Sequence, residues 1–284
     1  MFSTALQITF LSSLLIATAV VGQGVIGRTD TIVSGGHRID ANTAGVLSVM
    51  PKSLHDDLVL WQMFSYSDNS DANFYDLSAS GNDGTQATAS QQPSHQTTDG
   101  GHYSFDGVDD YVGLPSPSFS GNTAGSVMGW VLIGSSGEYL RVMAMGSDNV
   151  GSPGFWQFRT LNSTNLQIIS QDEGGGTQNI MESTGSGMAT GIWHHAVLTS
   201  SGSSWSLYVD GASKGLQATA GSNTGDWWGD LTFTGPSFSL GGSEYDGVFY
   251  YAEGALDDVR VYDRSLTAAE VLAIYNNTKA TYGL

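Results

Sequence analysis

The stretch from Trp193 to Gly211, WHHAVLTSSGSSWSLYVDG, constrains the fold of this chain more than any other. It spells two strands joined by a polar loop, Ser200 to Ser204. In the second strand Trp205, Leu207 and Val209 share one side, and Ser206, Tyr208 and Asp210 the other. A period of two marks a half-buried strand. Asp210-Gly211 then reads as a tight turn, because glycine reaches positive φ without steric penalty. A hairpin this apolar needs a second sheet to cover it. The expectation is a β-sandwich with Trp205, Leu207 and Val209 in the inter-sheet core and Trp130 and Val197 among their neighbours.

Nine basic residues against 27 acidic ones give a formal net charge of −18. That balance speaks against nucleic-acid partners, whose phosphates need a basic surface. It suits a soluble surface protein and leaves room for divalent cations. The chain has no cysteine, so disulfides and thiolate metal sites do not exist; this removes one sign of secretion without excluding it.

Residues 1–22 are the least polar run. Leu11 to Val21 is apolar apart from Ser12, Ser13 and Thr18, and Ala17-Thr18-Ala19 is a small-residue cleavage pattern. No Lys or Arg precedes Arg28, and the run is too short and interrupted for a transmembrane helix, so no stable membrane span is expected in the mature protein. The segment reads as a signal peptide or an N-terminal arm. Residues 23–57 lack a sustained period and read as a linker or anchoring segment.

From Leu58 the pattern changes, and 58–284 reads as one β-domain. Short apolar runs follow one another: LVLW (58–61), FDGVDDYV (105–112), SVMGWVLI (126–133), YLRVMAMG (139–146), FWQFRTL (155–161), LQIIS (166–170), LTFTG (231–235), FSLGG (238–242) and ALDDVRVY (255–262). The Gly, Ser and Asn between them point to antiparallel strands and turns. One helix is expected. Thr267 and Glu270 form a capping box, Leu266 and Val271 a hydrophobic staple, and Val271, Leu272 and Tyr275 the buried stripe, with Asn276-Asn277 at the end.

The order LVLW, DLSASGNDGT, FDGVDDYV, GWVLI, WHHAVLT, WSLYVDG, ALDDVRVY, LTAAEVLAIYNN resembles the laminin-G-like, concanavalin-A-like jelly-roll family over about Leu58 to Asn277. The resemblance implies an all-β antiparallel jelly-roll sandwich with a short C-terminal helix. It also implies one calcium ion near a rim, and binding of glycans or surface proteins without catalysis.

Among candidate sites, Asp257 shares strand parity with Val259 and Val261 and so is expected to face inward. There it is either a hydrogen-bonded structural residue or a calcium ligand, with Asp106, Asp109 and Asp110 as co-ligands. Trp227, Trp228, Tyr245 and Tyr250 sit in Gly- and Asp-rich surroundings and are candidates for stacking on sugar rings, as is Tyr251; along a strand only one of the two tryptophans would be exposed. His194-His195 on a strand point to opposite faces, which is poor geometry for one ion. Gly211 to Gly215 matches G-x-S-x-G but follows a hairpin turn, so the nucleophile-elbow context is missing. Glu244-Tyr245-Asp246 begins a glucanase-like acid pattern, but Val248 and Phe249 occupy the third positions.

The sequence therefore reads as a non-catalytic recognition module, binding glycans or surface proteins in an extracellular or cell-surface setting. The alternative is a structural or adhesive virion protein with an N-terminal docking arm, and a glycoside hydrolase comes third. The sequence leaves the oligomeric state open.

Overall fold

The computed structural model describes residues 57–284, apart from 64–72, 87, 115–116, 135–138, 148–150, 163 and 247; before residue 57 it describes only four short strands and Leu54. The signal peptide or arm expected over 1–22 and the linker expected over 23–57 thus lie largely outside the described residues. The chain divides into two compact units, Met1–Asp56 and Asp57–Leu284. The first holds two small antiparallel hairpins, β1 (Thr9–Leu11) with β2 (Leu14–Ile16) and β3 (Ile32–Ser34) with β4 (His37–Ile39).

The second unit opens with β5 (Leu58–Gln62), β6 (Asn73–Phe74), β7 (Gly84–Thr85), β8 (Ser94–Gln96), β9 (His102–Asp106) and β10 (Val112–Leu114). The long central strands are β11 (Gly125–Ile133), β12 (Arg141–Gly146), β13 (Phe155–Leu161), β14 (Asn165–Gln171) and β15 (Asn179–Thr184). Then come β16 (Trp193–Ser200), β17 (Trp205–Val209), β18 (Ala212–Ala220), β19 (Ser237–Gly241), β20 (Ser243–Tyr245), β21 (Val248–Tyr250) and β22 (Glu253–Tyr262), and helix α1 (Ala268–Thr278) closes the chain. All pairings are antiparallel. One sheet runs β8-β9-β22-β11-β16-β17-β18, with β5 beside β9 along the same edge of β22. The other runs β18-β15-β14-β13-β12-β19-β10-β7-β6. Strand β18 serves both: Ala212 to Lys214 pair with β17, and Gly215 to Ala220 with β15.

The organising hairpin forms as its pattern dictates. Val209 pairs with Ala212 across Asp210-Gly211, whose φ angles of 53° and 75° make the two-residue turn that matches strand twist. Trp205, Leu207 and Val209 enter the main core with Ala196 and Leu198 of β16. The expected neighbours differ. Val197 alternates to the opposite side from Ala196 and Leu198, and Trp130 packs with Trp193, Ala255 and Tyr282 in a second cluster on the outer face of that sheet. Period two was right for β17, but the inward parity of its partner strands was assigned one residue out.

That second cluster lies beneath the chain's end. Tyr282 stacks on Trp130 at 4.0 Å, and Tyr275 of α1 lies 5.8 Å from the same indole. Helix α1 is capped as expected: Thr267 accepts from the Glu270 N–H, and the Glu270 carboxylate accepts from the Thr267 N–H. Its buried residues are Val271, Ile274 and Thr278; Leu272, expected in the stripe, is 45 % exposed. Leu231 to Gly235, read as a strand, is loop here. The turn-rich DLSASGNDGT segment is pinned by a residue the sequence did not single out. Asp76 is buried, and its carboxylate accepts backbone N–H bonds from Trp61, Ser78 and Asn82 at 2.8 Å each.

Candidate functional site

Two outer features meet near the C-terminal end of β19: the acid loop between β9 and β10, and the hairpin β20–β21. In the acid loop the Asp106 carboxylate accepts from the N–H groups of Val108 (2.7 Å) and Asp109 (3.3 Å), and Asp110 accepts from the Asp106 N–H (2.9 Å). These bonds bring carboxylate oxygens of Asp106, Asp109 and Asp110 within 4.8 Å of one another. Ligands on opposite sides of a calcium ion with Ca–O near 2.4 Å stand about that far apart, so this hard-oxygen set fits one calcium. Burial, with repulsion from Asp106 and Asp109, pushes the Asp110 carboxyl up to about 6. Because its folded value exceeds the unfolded one, stability falls as pH rises between about 4 and 6. A bound cation would offset that loss.

Asp257 stands apart from this cluster. A bulge between β11 and β22 places Asp258 at φ 49°, so Asp257 and Asp258 both leave the core face while Leu256 and Val259 keep it. Asp257 is therefore not inward beside Val259 and Val261, as strict alternation would have it. Its carboxylate is 2 % exposed under the chain's end, accepting from the Tyr282 hydroxyl (2.6 Å) and the Asp258 N–H (2.7 Å). That is the arrangement of a structural, hydrogen-bonded aspartate.

Trp227 and Trp228 are not available for sugar stacking: both are buried, at 0 % and 2 % exposure, against Trp156. Strand alternation does not apply, because Trp227 leads into a single 3-10 turn, Trp228–Asp230, which lets adjacent side chains enter one core. The Asp230 carboxylate holds the turn by accepting from the Trp227 N–H at 2.9 Å. His194 is likewise occupied. Its Nε2 accepts from the Ala189 N–H, so Nδ1 carries the proton and donates to Asp210 at 2.9 Å. His195 is fully buried, and burial together with nearby Arg260 lowers it to about 3, leaving it neutral.

Tyr245 and Tyr250 are exposed, at 36 % and 45 %, as is Val248 at 53 %. All three lie on one side of the hairpin, because Tyr245 pairs with Val248 and Tyr250 is two residues further on. The other side presents Phe249, whose ring lies 4.3 Å from Tyr111 and 4.9 Å from Tyr251. Tyr111 follows Asp110 directly, so the acid loop and the aromatic hairpin form one continuous rim. The hairpin crosses the outer face of the second sheet. A Cβ at Gly146 of β12 would overlap the Glu244 carbonyl oxygen, and Tyr245 makes an edge contact with Phe155 of β13 at 5.0 Å.

Beside the hairpin, that outer face carries a polar row absent from the sequence-based candidates. Arg159 on β13 donates from Nε and Nη2 to Gln167 Oε1 (2.9 and 2.7 Å) and from Nη1 to Gln157 Oε1 (2.9 Å). Gln167 on β14 donates in turn to Glu182 on β15 at 2.8 Å. The guanidinium lies 4.3 Å over the Tyr139 ring. Burial lowers it to about 10, so it stays charged at neutral pH. The signal was present in FWQFRTL: Trp156 and Phe158 take the core side, leaving Phe155, Gln157 and Arg159 for the other.

Residues 106–272, more than half of the chain, match the family described as the concanavalin A-like lectin/glucanases superfamily, Laminin_G_3. The chain belongs to that superfamily. Solved structures share the fold at low identity. The Trypanosoma rangeli sialidase in complex with sialic acid is 15% identical with a TM-score of 0.56, over 82% of this chain and 34% of that one. The binding domain of Paraclostridial Mosquitocidal Protein 1 is 14% identical with a TM-score of 0.51, over 78% and 52%. The CBM40 domain of the Ruminococcus gnavus IT-sialidase, bound to α2,3-sialyllactose, is 14% identical with a TM-score of 0.49, over 61% and 92%. This chain thus spans about a third of the trypanosomal enzyme and half of the mosquitocidal chain. No curated protein matches the sequence. Among the described residues no helix is long and apolar enough to cross a membrane.

Proposed function

We propose that this protein is a non-catalytic glycan-recognition module acting in an extracellular or cell-surface setting. The observation that carries the reading is the pair of exposed tyrosines, Tyr245 and Tyr250, on one side of a hairpin laid across the outer sheet face beside the row Gln157–Arg159–Gln167–Glu182. Flat rings serve the C–H faces of a sugar, and amides and carboxylates serve its hydroxyls. Tyr251, stacked with Phe249 on the hairpin's other side, supports the ribbon. The three acids at the rim offer a calcium ion a place from which it would fix the acid loop against Tyr111. Superfamily membership and the printed ligands of the fold's neighbours are consistent with sugar binding.

The non-catalytic part rests on the acid that the hairpin lacks, its two acids being tied to neighbouring segments. Asp246 accepts from the Gly151 N–H at 2.5 Å, and Glu244 from the Ser237 hydroxyl at 3.4 Å. Val248 and Phe249 stand where a glucanase acid pattern would place its third carboxylate. A glycan array probed with the full chain, followed by calorimetry on the best binder, tests the reading. Tyr250→Ala should weaken binding about tenfold at unchanged melting temperature. Array-wide absence of binding, or an unaffected Tyr245→Ala/Tyr250→Ala double variant, would remove the proposal.

A further inference from the structure

We infer that Arg159 is an anion-recognition point, and that the glycan taken by this face carries a single carboxylate. This rests on the glycan-recognition reading above. A guanidinium has five N–H donors, and Arg159 commits three of them, all to the neutral amide oxygens of Gln157 and Gln167. Those two glutamines are 4 % and 5 % exposed, so the acceptors that hold the fork are themselves built into the face. The Tyr139 ring beneath fixes its plane.

What is missing is a direct ion pair: the charge of Glu182 acts on the guanidinium from a distance, but no carboxylate contacts it among the described residues. Arg260 pairs with Asp258, and Arg264 with Asp57 and Glu270. Arg159 forms no ion pair among the described residues. The nearest acid in the row, Glu182, accepts instead from Gln167 and, at 3.4 Å, from Thr219. Taking a cation out of water without an anion is costly, and an arrangement that orients it without neutralising it leaves that task to a ligand. A planar fork with donors to spare matches a carboxylate, which is planar and accepts two parallel bonds. The net charge of −18 opposes a polyanionic chain, which favours a sugar bearing one acidic group.

Calorimetry on the full chain with matched probes tests this: lactose against sialyllactose, cellobiose against cellobiouronic acid, sialyllactose methyl ester, and lactose 3′-sulfate. At least one carboxylated probe should bind tenfold or more tighter than its neutral partner, and the ester should bind like the neutral sugar. Arg159→Gln should erase the preference, a loss of about ten- to a hundredfold for a charge-assisted pair, while Arg159→Lys should restore only part of it. Circular dichroism and melting temperature check the fold of both variants; the wild-type comparison stands without them. Neutral and carboxylated probes binding alike, an Arg159→Gln protein that keeps the preference, or sulfate equal to carboxylate would overturn the inference and leave glycan recognition intact. Failure of every probe on a protein that binds other array glycans would also overturn it alone; no glycan binding at all would remove both.

Discussion

Asp258→Asn tests how β22 is held to its neighbour β5 within the first sheet. Asp258 sits in the β22 bulge, 3 % exposed, and its carboxylate accepts from Trp61 Nε1 (2.7 Å) and from Arg260 Nε and Nη2 (2.8 Å each). Arg260 is fully buried, with its guanidinium 4.9 Å over the Trp61 ring. Burial pulls the guanidinium down, but the Asp258 carboxylate outweighs it and leaves Arg260 above its usual value. The amide of asparagine keeps the shape and tolerates the left-handed backbone at φ 49°, so the substitution removes mainly the charge.

An uncompensated buried arginine costs about 3–5 kcal/mol. In a domain of this size each kcal/mol moves Tm by roughly 2–4 °C, so the drop should be about 6–20 °C. Urea unfolding followed by tryptophan fluorescence gives the free energy directly, with an unchanged m-value as the check on two-state behaviour. Adding Arg260→Leu should recover most of the loss, because a buried pair replaced as a unit is close to neutral. A single-variant loss below about 1 kcal/mol, or a double variant as unstable as the sum of both single ones, would refute the argument that this pair acts as a unit.

The remaining predictions concern the core, the hairpin and the rim. Leu207→Ala, at a fully buried position, should cost about 2–5 kcal/mol in the same urea assay; a surface-like effect would mean the sheet face is wrong. Gly242→Ala puts a methyl into the Phe249 ring, so it should displace the β20–β21 hairpin and abolish glycan binding while costing about 1–3 kcal/mol of stability. Calcium should raise Tm, by up to about 2.7 kcal/mol of stabilisation at a hundredfold excess over Kd, at pH 7.5 but hardly at pH 4.5, where Asp110 is protonated. Asp110→Asn should blunt that response and Asp257→Asn should not; equal melting with calcium and with chelator at pH 7.5 would exclude the site.

The sandwich was legible because its strands are long and their period is two. β13 spans Phe155–Leu161 as read, β16 and β17 pair as read, and the Thr267 cap starts α1 where expected. The losses came where one extra residue resets parity or where a strand is too short to show a period. The bulge at Asp258 turned Asp257 outward, and no pattern in LDDVRVY announces a bulge. A 3-10 turn buried both Trp227 and Trp228. β6, β7, β20 and β21 have two or three residues each, below the length at which alternation is visible. Of the residues in the proposed site, Tyr245 and Tyr250 were singled out from their polar surroundings, and the structure shows them exposed. The polar row around Arg159 was not legible because its setting is made by separate strands, Gln167 and Glu182 entering only through pairing.

The acidity of the chain has a structural explanation that composition alone does not supply. Without cysteine, the loops of this sandwich are tied by carboxylates accepting backbone N–H groups. Asp76 takes those of Trp61, Ser78 and Asn82, and Asp83 takes that of Asp76. Asp172 and Glu173 take those of Thr232 and Thr234; Asp210, Asp230 and Asp246 take those of His195, Trp227 and Gly151. Bonds to an ionised acceptor are about twice as strong as neutral ones, and each fixes a turn that would otherwise leave a donor unpaired. Part of the acidity thus serves loop construction and need not signal a cationic ligand. Against that background Arg159, hydrogen-bonded to neutral amides over the Tyr139 ring and in no direct ion pair among the described residues, stands out, which is why the proposed recognition is placed on the outer face of β13 to β15 and not on the acidic surface as a whole.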